Sequence, residues 1–233
     1  MRLAIIPARG GSKRIPRKNV RPFCGKPMIA HPIAQAIRSG QFDRIIVTTD
    51  DPEIAEVARA AGAETPFVRP AELSDDHTTT VPVIAHAIRW MQANVGPVAE
   101  ACCIYATAPF VQSADLVQGF EMLGGVKDYV FSGASMPFPF QRAFALDEAG
   151  HVRMFQPENY NARSQDLEPA FMDAGQFYWG RPETFLAGTF FFSPDSKALL
   201  LPRYRVQDID TEEDWRRAEM LHEILTKTGD LTA

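Results

Sequence analysis

Arg2-Leu3-Ala4-Ile5-Ile6-Pro7, followed at once by Ala8-Arg9-Gly10-Gly11-Ser12-Lys13-Arg14-Ile15-Pro16-Arg17-Lys18-Asn19, is the stretch that decides the fold. Its apolar run is too short for a helix and reads as a buried strand. The loop that follows stands at the carboxyl edge of that strand, where open α/β sheets hold their ligands. Gly10 and Gly11 let the backbone turn tightly and bring N–H groups against an anion. Arg9, Lys13, Arg14, Arg17 and Lys18 place five cations within ten residues, enough to offset a multiply charged group such as a triphosphate. Neither the Walker A pattern nor the G-x-G-x-x-G dinucleotide fingerprint is present. A solvated basic loop is the competing reading, and the Gly-Gly pair on a first βα loop favours the anion.

Outward from this loop the pattern repeats. A helix is predicted from about Pro27 to Ser39, a strand over Arg44 to Thr49, and a helix from Glu53 to Ala61. Asp51-Pro52 supplies the last of these with an N-cap and a proline at its first position, and Gly62 closes it. The Asp50 carboxylate, at the strand's end, either faces the site or helps that cap. Thr65 to Arg69 reads as extended, Val83 to Met91 as helical, Ala101 to Ala106 as a buried strand, Ala114 to Leu123 as a helix and Tyr129 to Ser132 as a strand. Repeated βα units predict an α/β fold with a mostly parallel, Rossmann-like sheet. From Ala134 to Met172 prolines and phenylalanines accumulate, with a hairpin pattern over Phe144 to Met154. This is an inserted lobe within one domain spanning residues 1–233. Gly175 to Gly180 resumes as an aromatic strand, Arg203 to Val206 as a last strand, and Glu212 to Lys227 as an amphipathic helix.

Composition narrows the function. With 45% hydrophobic and 23% charged residues the chain has the make-up of a folded, enzyme-sized domain. Net charge is −5, with 24 Lys and Arg against 29 Asp and Glu, so no global basic field attracts nucleic acid or a membrane surface. Cys102 and Cys103, adjacent in an apolar run, read as buried thiols on opposite faces of a strand. The absence of a disulfide framework, and an N-terminus that opens directly into a strand, predict a cytoplasmic protein.

Arg9-Gly10-Gly11-Ser12-Lys13, then Lys18-Asn19 and Gly25-Lys26-Pro27-Met28, resemble the signature of nucleotidyltransferases that activate sugars, in the CMP-sialate synthetase branch. The resemblance implies a nucleotide-sugar transferase fold whose first loop wraps CTP. Ala8, Arg9, Gly10, Gly11, Ser12, Lys18 and Asn19 would meet the nucleotide, with Arg9, Lys13 and Lys18 neutralising the phosphates. It also assigns Arg69 in Arg69-Pro70-Ala71-Glu72-Leu73-Ser74, with Thr79 and Thr80, to the nucleotide and its cytosine. Helix capping is an equal alternative for the threonines. Tyr105-Ala106-Thr107-Ala108-Pro109-Phe110 departs from the Gln-Pro-Thr-Ser-Pro-like sequence of sialate enzymes. Asp173-Ala174-Gly175-Gln176-Phe177-Tyr178-Trp179-Gly180 resembles the pseudaminic acid cytidylyltransferases. Tyr105, Thr107, Gln176 and Tyr178 are therefore the expected sugar-binding residues, and a less polar wall suits a deoxy, more hydrophobic nine-carbon 2-keto acid.

Asp208 and Asp210 flank Ile209 and, in extended chain, point to one side, where they can hold a cation. By residue pattern alone, capping of the terminal helix is as good an account of Asp210 or Thr211. The resemblance assigns both aspartates to Mg²⁺. It implies in-line attack of the sugar's anomeric hydroxyl on the α-phosphorus of CTP, with pyrophosphate leaving, and a homodimer formed through the inserted lobe. Sialic, legionaminic and 3-deoxy-manno-octulosonic acids are the alternative acceptors. A nucleotide-binding protein without catalysis is the alternative of another class.

Overall fold

Strand β1 (Arg2–Pro7) buries Leu3, Ala4, Ile5 and Ile6 completely, because both faces and both edges of it are covered. In this computed structural model, which describes residues 1–231, the chain continues as β2 (Pro22–Phe23), β3 (Lys26–Pro27), α1 (Ala30–Ser39), β4 (Arg44–Thr48), α2 (Pro52–Ala60), α3 (Thr80–Asn94), β5 (Glu100–Ile104), α4 (Ser113–Leu123) and β6 (Tyr129–Ser135). It then runs through β7 (Phe144–Leu146), β8 (Val152–Met154), β9 (Phe171–Gly180), α5 (Pro182–Leu186), β10 (Lys197–Leu200) and α6 (Glu212–Thr228).

Six strands form the main sheet in the order β10-β6-β9-β5-β1-β4. β1 pairs in parallel with β4 and β5, and β10 with β6. Only β9 runs against its neighbours, antiparallel to both β5 and β6. The expected α/β fold with a mostly parallel sheet is thus the observed one. Side-chain alternation sorts the core into two layers. Ala4, Ile6, Cys102, Phe177 and Trp179 pack with Ile33 of α1, Ala58 of α2 and Leu116 of α4. Leu3, Ile5, Cys103 and Tyr178 pack with Ile84 and Ile88 of α3 and Phe185 of α5. Cys102 and Cys103 are free, buried and on opposite faces.

Three boundaries differ from the sequence reading. The helix expected from Pro27 begins at Ala30, because Cys24 (φ 45°) and Gly25 (φ 91°) make a tight turn that pairs Pro22–Phe23 with Lys26–Pro27. Thr65 to Arg69, expected as extended, is no strand: one isolated bridge forms within it, at Val68, and another just before it, at Glu64. The last strand is Lys197–Leu200; Arg203–Arg205, expected as strand, is a 3₁₀ turn behind Pro202.

The inserted segment leaves β6 and returns as β9, which pairs with β6. Ala134 pairs with Met172 and Ser135 with Phe171 as the last rungs of that ladder, so the excursion proper covers 136–170. It contains the β7–β8 hairpin and exposes Phe138, Phe144, Leu146, Val152 and Phe155. Among the described residues no helix is long and apolar enough to cross a membrane.

Candidate functional site

The carboxyl ends of β1 and β5 open on one cleft of about 500 Å³. Arg9, Ser12, Lys13, Lys18 and Asn19 line it from the first loop, Arg69 and Asp75 to Thr80 from the far side, and Tyr105 to Thr107 from the end of β5. Charge here is densely compensated by the protein itself. Arg9 pairs with Asp76 at 2.8 Å and donates to the Asp75 carbonyl oxygen at 2.5 Å, and Lys13 pairs with the same Asp76. The Asp76 carboxyl is lowered by Lys13 first, with Arg9 adding to it.

Behind the cleft two aspartates anchor the loop. Asp51 caps α2 by accepting the Ile54 N–H at 3.0 Å, and it receives a fork of two bonds from Arg17 at 2.5 and 3.0 Å. That hydrogen bonding, Arg17 foremost, brings the Asp51 carboxyl down to about 2. Arg17 itself sits at φ 56°, a left-handed conformation that costs energy and is held by the fork and by a contact to Glu53. A Cβ on Gly10 would stand 2.6 Å from Asp51 Oδ2, so this glycine serves the close approach of loop and anchor. Gly11 faces open space. The neighbouring Asp50 accepts the Gly10 N–H at 3.1 Å and Arg69 Nη2 at 3.4 Å. Arg69 is 5% exposed, and burial lowers its pKa. Asn19 binds the Arg9 carbonyl oxygen at 3.0 Å and so fixes the loop from inside. Ala8 keeps its side chain in the core, so only its backbone is near the site.

The acidic segment at the chain's end reaches the same loop. Ile15, Phe23 and Met28 form a separate core with Ile209, Trp215 and Ala218, which docks α6 beside the cleft. Lys18 Nζ then donates to the Ile209 carbonyl oxygen at 2.5 Å and approaches Asp210 at 3.4 Å, while Arg14 pairs with Asp210 at 2.8 Å. Thr211 and Asp214 close a capping box on α6, which releases Asp208 and Asp210 from capping. Ile209 is buried between the two aspartates. The Asp208 carboxyl is raised, first by desolvation under the surrounding chain and then by the charge of Asp210. Among the described residues no three His, Cys, Asp or Glu side chains gather to hold a metal. Two carboxylates repelling one another do fit a hard divalent cation that completes its shell with phosphate oxygens and water.

A second, aromatic chamber of about 740 Å³ adjoins the cleft, sharing Leu73, Thr79, Thr80 and Tyr105 with it. Phe185, Leu186 and Phe190 to Phe192 line it, and His86, Arg89 and Asp173 supply its polar groups. Thr79 occupies the N-cap of α3 with no side-chain capping bond among the described residues, and Thr80 bonds the Tyr105 hydroxyl at 3.1 Å. Both hydroxyls therefore face the cavities. Gln176 and Tyr178, expected on the sugar, lie beneath the cavity walls. Gln176 donates to the Arg205 carbonyl oxygen at 2.8 Å, and Tyr178 is fully buried. β9 is interior to the sheet, so alternation there separates two buried faces and leaves none for solvent. Sequence reasoning named Arg17 as a loop cation and Asp51 as a helix cap without pairing them, and missed Asp76 and the Phe190–Phe192 wall. The paired aspartates at the end of β4 were the available signal for the anchors.

The chain is similar to known proteins in sequence and in fold. The family model for cytidylyltransferases matches residues 3–166. The chain is 44% identical to a pseudaminic acid cytidylyltransferase of Campylobacter jejuni, over 95% of this chain and 96% of that one. It is 32% identical to a CMP-N,N'-diacetyllegionaminic acid synthase of Legionella pneumophila, again over 95% and 96%. Among solved structures, a CMP:2-keto-3-deoxy-manno-octonic acid synthetase complexed with CTP superposes with a TM-score of 0.70 at 16% identity, covering 95% of this chain and 98% of that one, which shows the fold.

Proposed function

The chain belongs to the cytidylyltransferase family, and from that premise we propose that it transfers CMP from CTP to the anomeric hydroxyl of pseudaminic acid, releasing pyrophosphate. One observation carries this reading. Arg9, Lys13, Lys18 and the buried Arg69 converge on a single cleft, next to the two-carboxylate segment and to a chamber of aromatic walls.

Triphosphate entering the cleft replaces Asp76 on Arg9 and Lys13, and these cations neutralise the charge that builds on departing pyrophosphate. Lys18 links the loop to Asp210, so phosphate and carboxylates are positioned together. Arg69, held by Asp50, offers a desolvated donor for the cytosine, and Thr79, Thr80 and Thr107 offer hydroxyls. Mg²⁺, which Asp208 and Asp210 would hold, supplies Lewis-acid polarisation of the α-phosphate when bound. The acceptor lies in the aromatic chamber, whose apolar walls suit deoxy and acylated positions of the sugar. A cytoplasmic location fits a reaction that consumes CTP. The exposed phenylalanines of the lobe are the surface through which two copies associate. Light scattering at micromolar concentration is expected to give the dimer mass, and a monomer would refute this.

The test of the reaction is pyrophosphate release from CTP, Mg²⁺ and pseudaminic acid by the protein and by Asp210→Ala. Release is expected from the first and loss from the second. Equal release by both would remove Asp210 from the metal.

A further inference from the structure

Gln176 sits inside the sheet, 3% exposed, beside the aromatic run Phe177 to Trp179. A leucine there would cost less, because the amide gives up hydration and rotamer freedom and its Oε1 has no partner among the described residues. What the amide does hold is one atom, the Arg205 carbonyl oxygen, at 2.8 Å. The Arg205 side chain is held as firmly. Its guanidinium makes a fork of two bonds, at 2.6 and 3.1 Å, to Asp115 in the first turn of α4, and both side chains are 11% exposed. A buried ion pair adds little net stability over an apolar pair of the same volume, whereas its fork fixes direction. Three buried polar groups thus converge on one residue. From Val206 to Asp210 the chain forms no helix or strand, so no ladder of backbone bonds sets its course. Asp208 follows Arg205 by three residues, at most about 10 Å of chain, and Gln207 donates to its carbonyl oxygen at 2.6 Å. Beyond it Ile209 is buried and accepts from Lys18. Gln176 also accepts the Tyr105 N–H on its own carbonyl oxygen at 2.9 Å, so the wall shared by cleft and chamber and the acidic segment hang from the same residue.

We infer that Gln176, together with the Arg205–Asp115 pair, positions the Asp208 and Asp210 carboxylates for the divalent cation. This rests on the reading that those two aspartates hold the cation of the transfer reaction. Two carboxylates repel one another, and a segment without ladder bonds is free to let them part. Ordering such a segment at the moment of binding subtracts from affinity. With Arg205 fixed on one side and Ile209 on the other, Asp208 has little backbone freedom left to lose. Gln176 touches neither nucleotide nor sugar; it acts through the Arg205 carbonyl. The same burial beneath the cavity walls that takes it away from the sugar brings it within reach of this segment.

The experiment compares wild type with Gln176→Leu, which keeps the bulk and removes the amide, and with Arg205→Lys, which keeps the charge and loses the fork. Asp210→Ala is the control. Mn²⁺ binding to the CTP complex is read by electron paramagnetic resonance, CTP binding without metal by calorimetry, and the fold by thermal unfolding. Pyrophosphate release is followed against Mg²⁺ and against whichever nine-carbon 2-keto acid the wild type turns over. Mn²⁺ is expected to bind about tenfold more weakly to Gln176→Leu, the scale of lost outer-shell support at metal sites, and to weaken in the same direction in Arg205→Lys. The CTP Kd without metal and the acceptor's KM are expected to stay within about twofold, and excess Mg²⁺ to restore most of kcat. Wild-type Mn²⁺ affinity in the folded variants overturns the inference, however far the melting temperature falls. So does a loss confined to the acceptor's KM, which would return Gln176 to the sugar. If Gln176→Leu does not fold, Arg205→Lys decides by the same criterion. A wild type that binds Mn²⁺ no better than Asp210→Ala removes the metal reading and the inference together; wild type and variants binding it equally, and all better than Asp210→Ala, remove the inference alone. A wild type that turns over no nine-carbon acid removes the transfer reading, and the metal affinities still decide the positioning.

Discussion

Replacing Asp51 with asparagine separates its two jobs, because the amide still caps α2 as well as a carboxylate does but cannot pair with Arg17. The Asp51 carboxyl lies at about 2 in the folded protein against an ordinary 3.8. A depression of that size corresponds to roughly 2 to 2.5 kcal/mol between charged and neutral forms. Asp51 is 17% exposed, while Arg17 is 39% exposed and partly screened by water, so the expected loss of stability at pH 7 is about 1 to 2 kcal/mol. The pH dependence has a definite sign. A depressed folded pKa stabilises fully above the unfolded value, and the stabilisation disappears as pH falls from 3.8 towards 2. Urea unfolding at neutral pH should therefore show wild type above Asp51→Asn by that amount, with the gap narrowing to near zero at pH about 2. An equal gap at both pH values, or none at neutral pH, would refute the clamp. Because the clamp holds Arg17 in its left-handed conformation and fixes the loop at Gly10, the same variant should also bind CTP more weakly.

Three other variants follow from the site. Gly10→Ala drives a Cβ to 2.6 Å from Asp51 Oδ2 and should weaken CTP binding in calorimetry, whereas Gly11→Ala, facing open space, should not; equal effects would contradict the loop's packing. Asp76→Asn frees Arg9 and Lys13 and should tighten CTP binding about two- to fivefold, more at low salt, with weaker binding as the contrary result. Phe192→Ala opens the chamber wall and should raise the acceptor's KM while leaving the CTP Kd unchanged; the reverse pattern would place the acceptor elsewhere.

Much of this was legible in the chain for physical reasons. Leu3 to Ile6 declares a buried strand, Asp51-Pro52 declares a helix start, and the spacing of Cys102 and Cys103 assigns them to two faces; each is fixed by neighbours within a few residues. What escaped depends on partners far along the chain. Arg203 to Val206 looked extended, yet Pro202 bends the chain into a turn and the edge strand is Lys197–Leu200, where only Leu199 is buried. The period-two pattern of Gln176 and Tyr178 was real, but an interior antiparallel strand buries both faces, so alternation carried no information about solvent. Asp76 is more than sixty residues from Arg9 and Lys13, and only the fold brings them to it. Phe190 to Phe192 follow no period, and their wall exists only opposite α3.

The measurement that tests the central claim most directly is competition: an equimolar mixture of pseudaminic, legionaminic and N-acetylneuraminic acids with limiting CTP and Mg²⁺, the CMP-sugars being resolved by mass. Preferential formation of CMP-pseudaminic acid is the predicted result. Predominant formation of CMP-N-acetylneuraminic acid, or release of pyrophosphate without any CMP-sugar, would contradict the account.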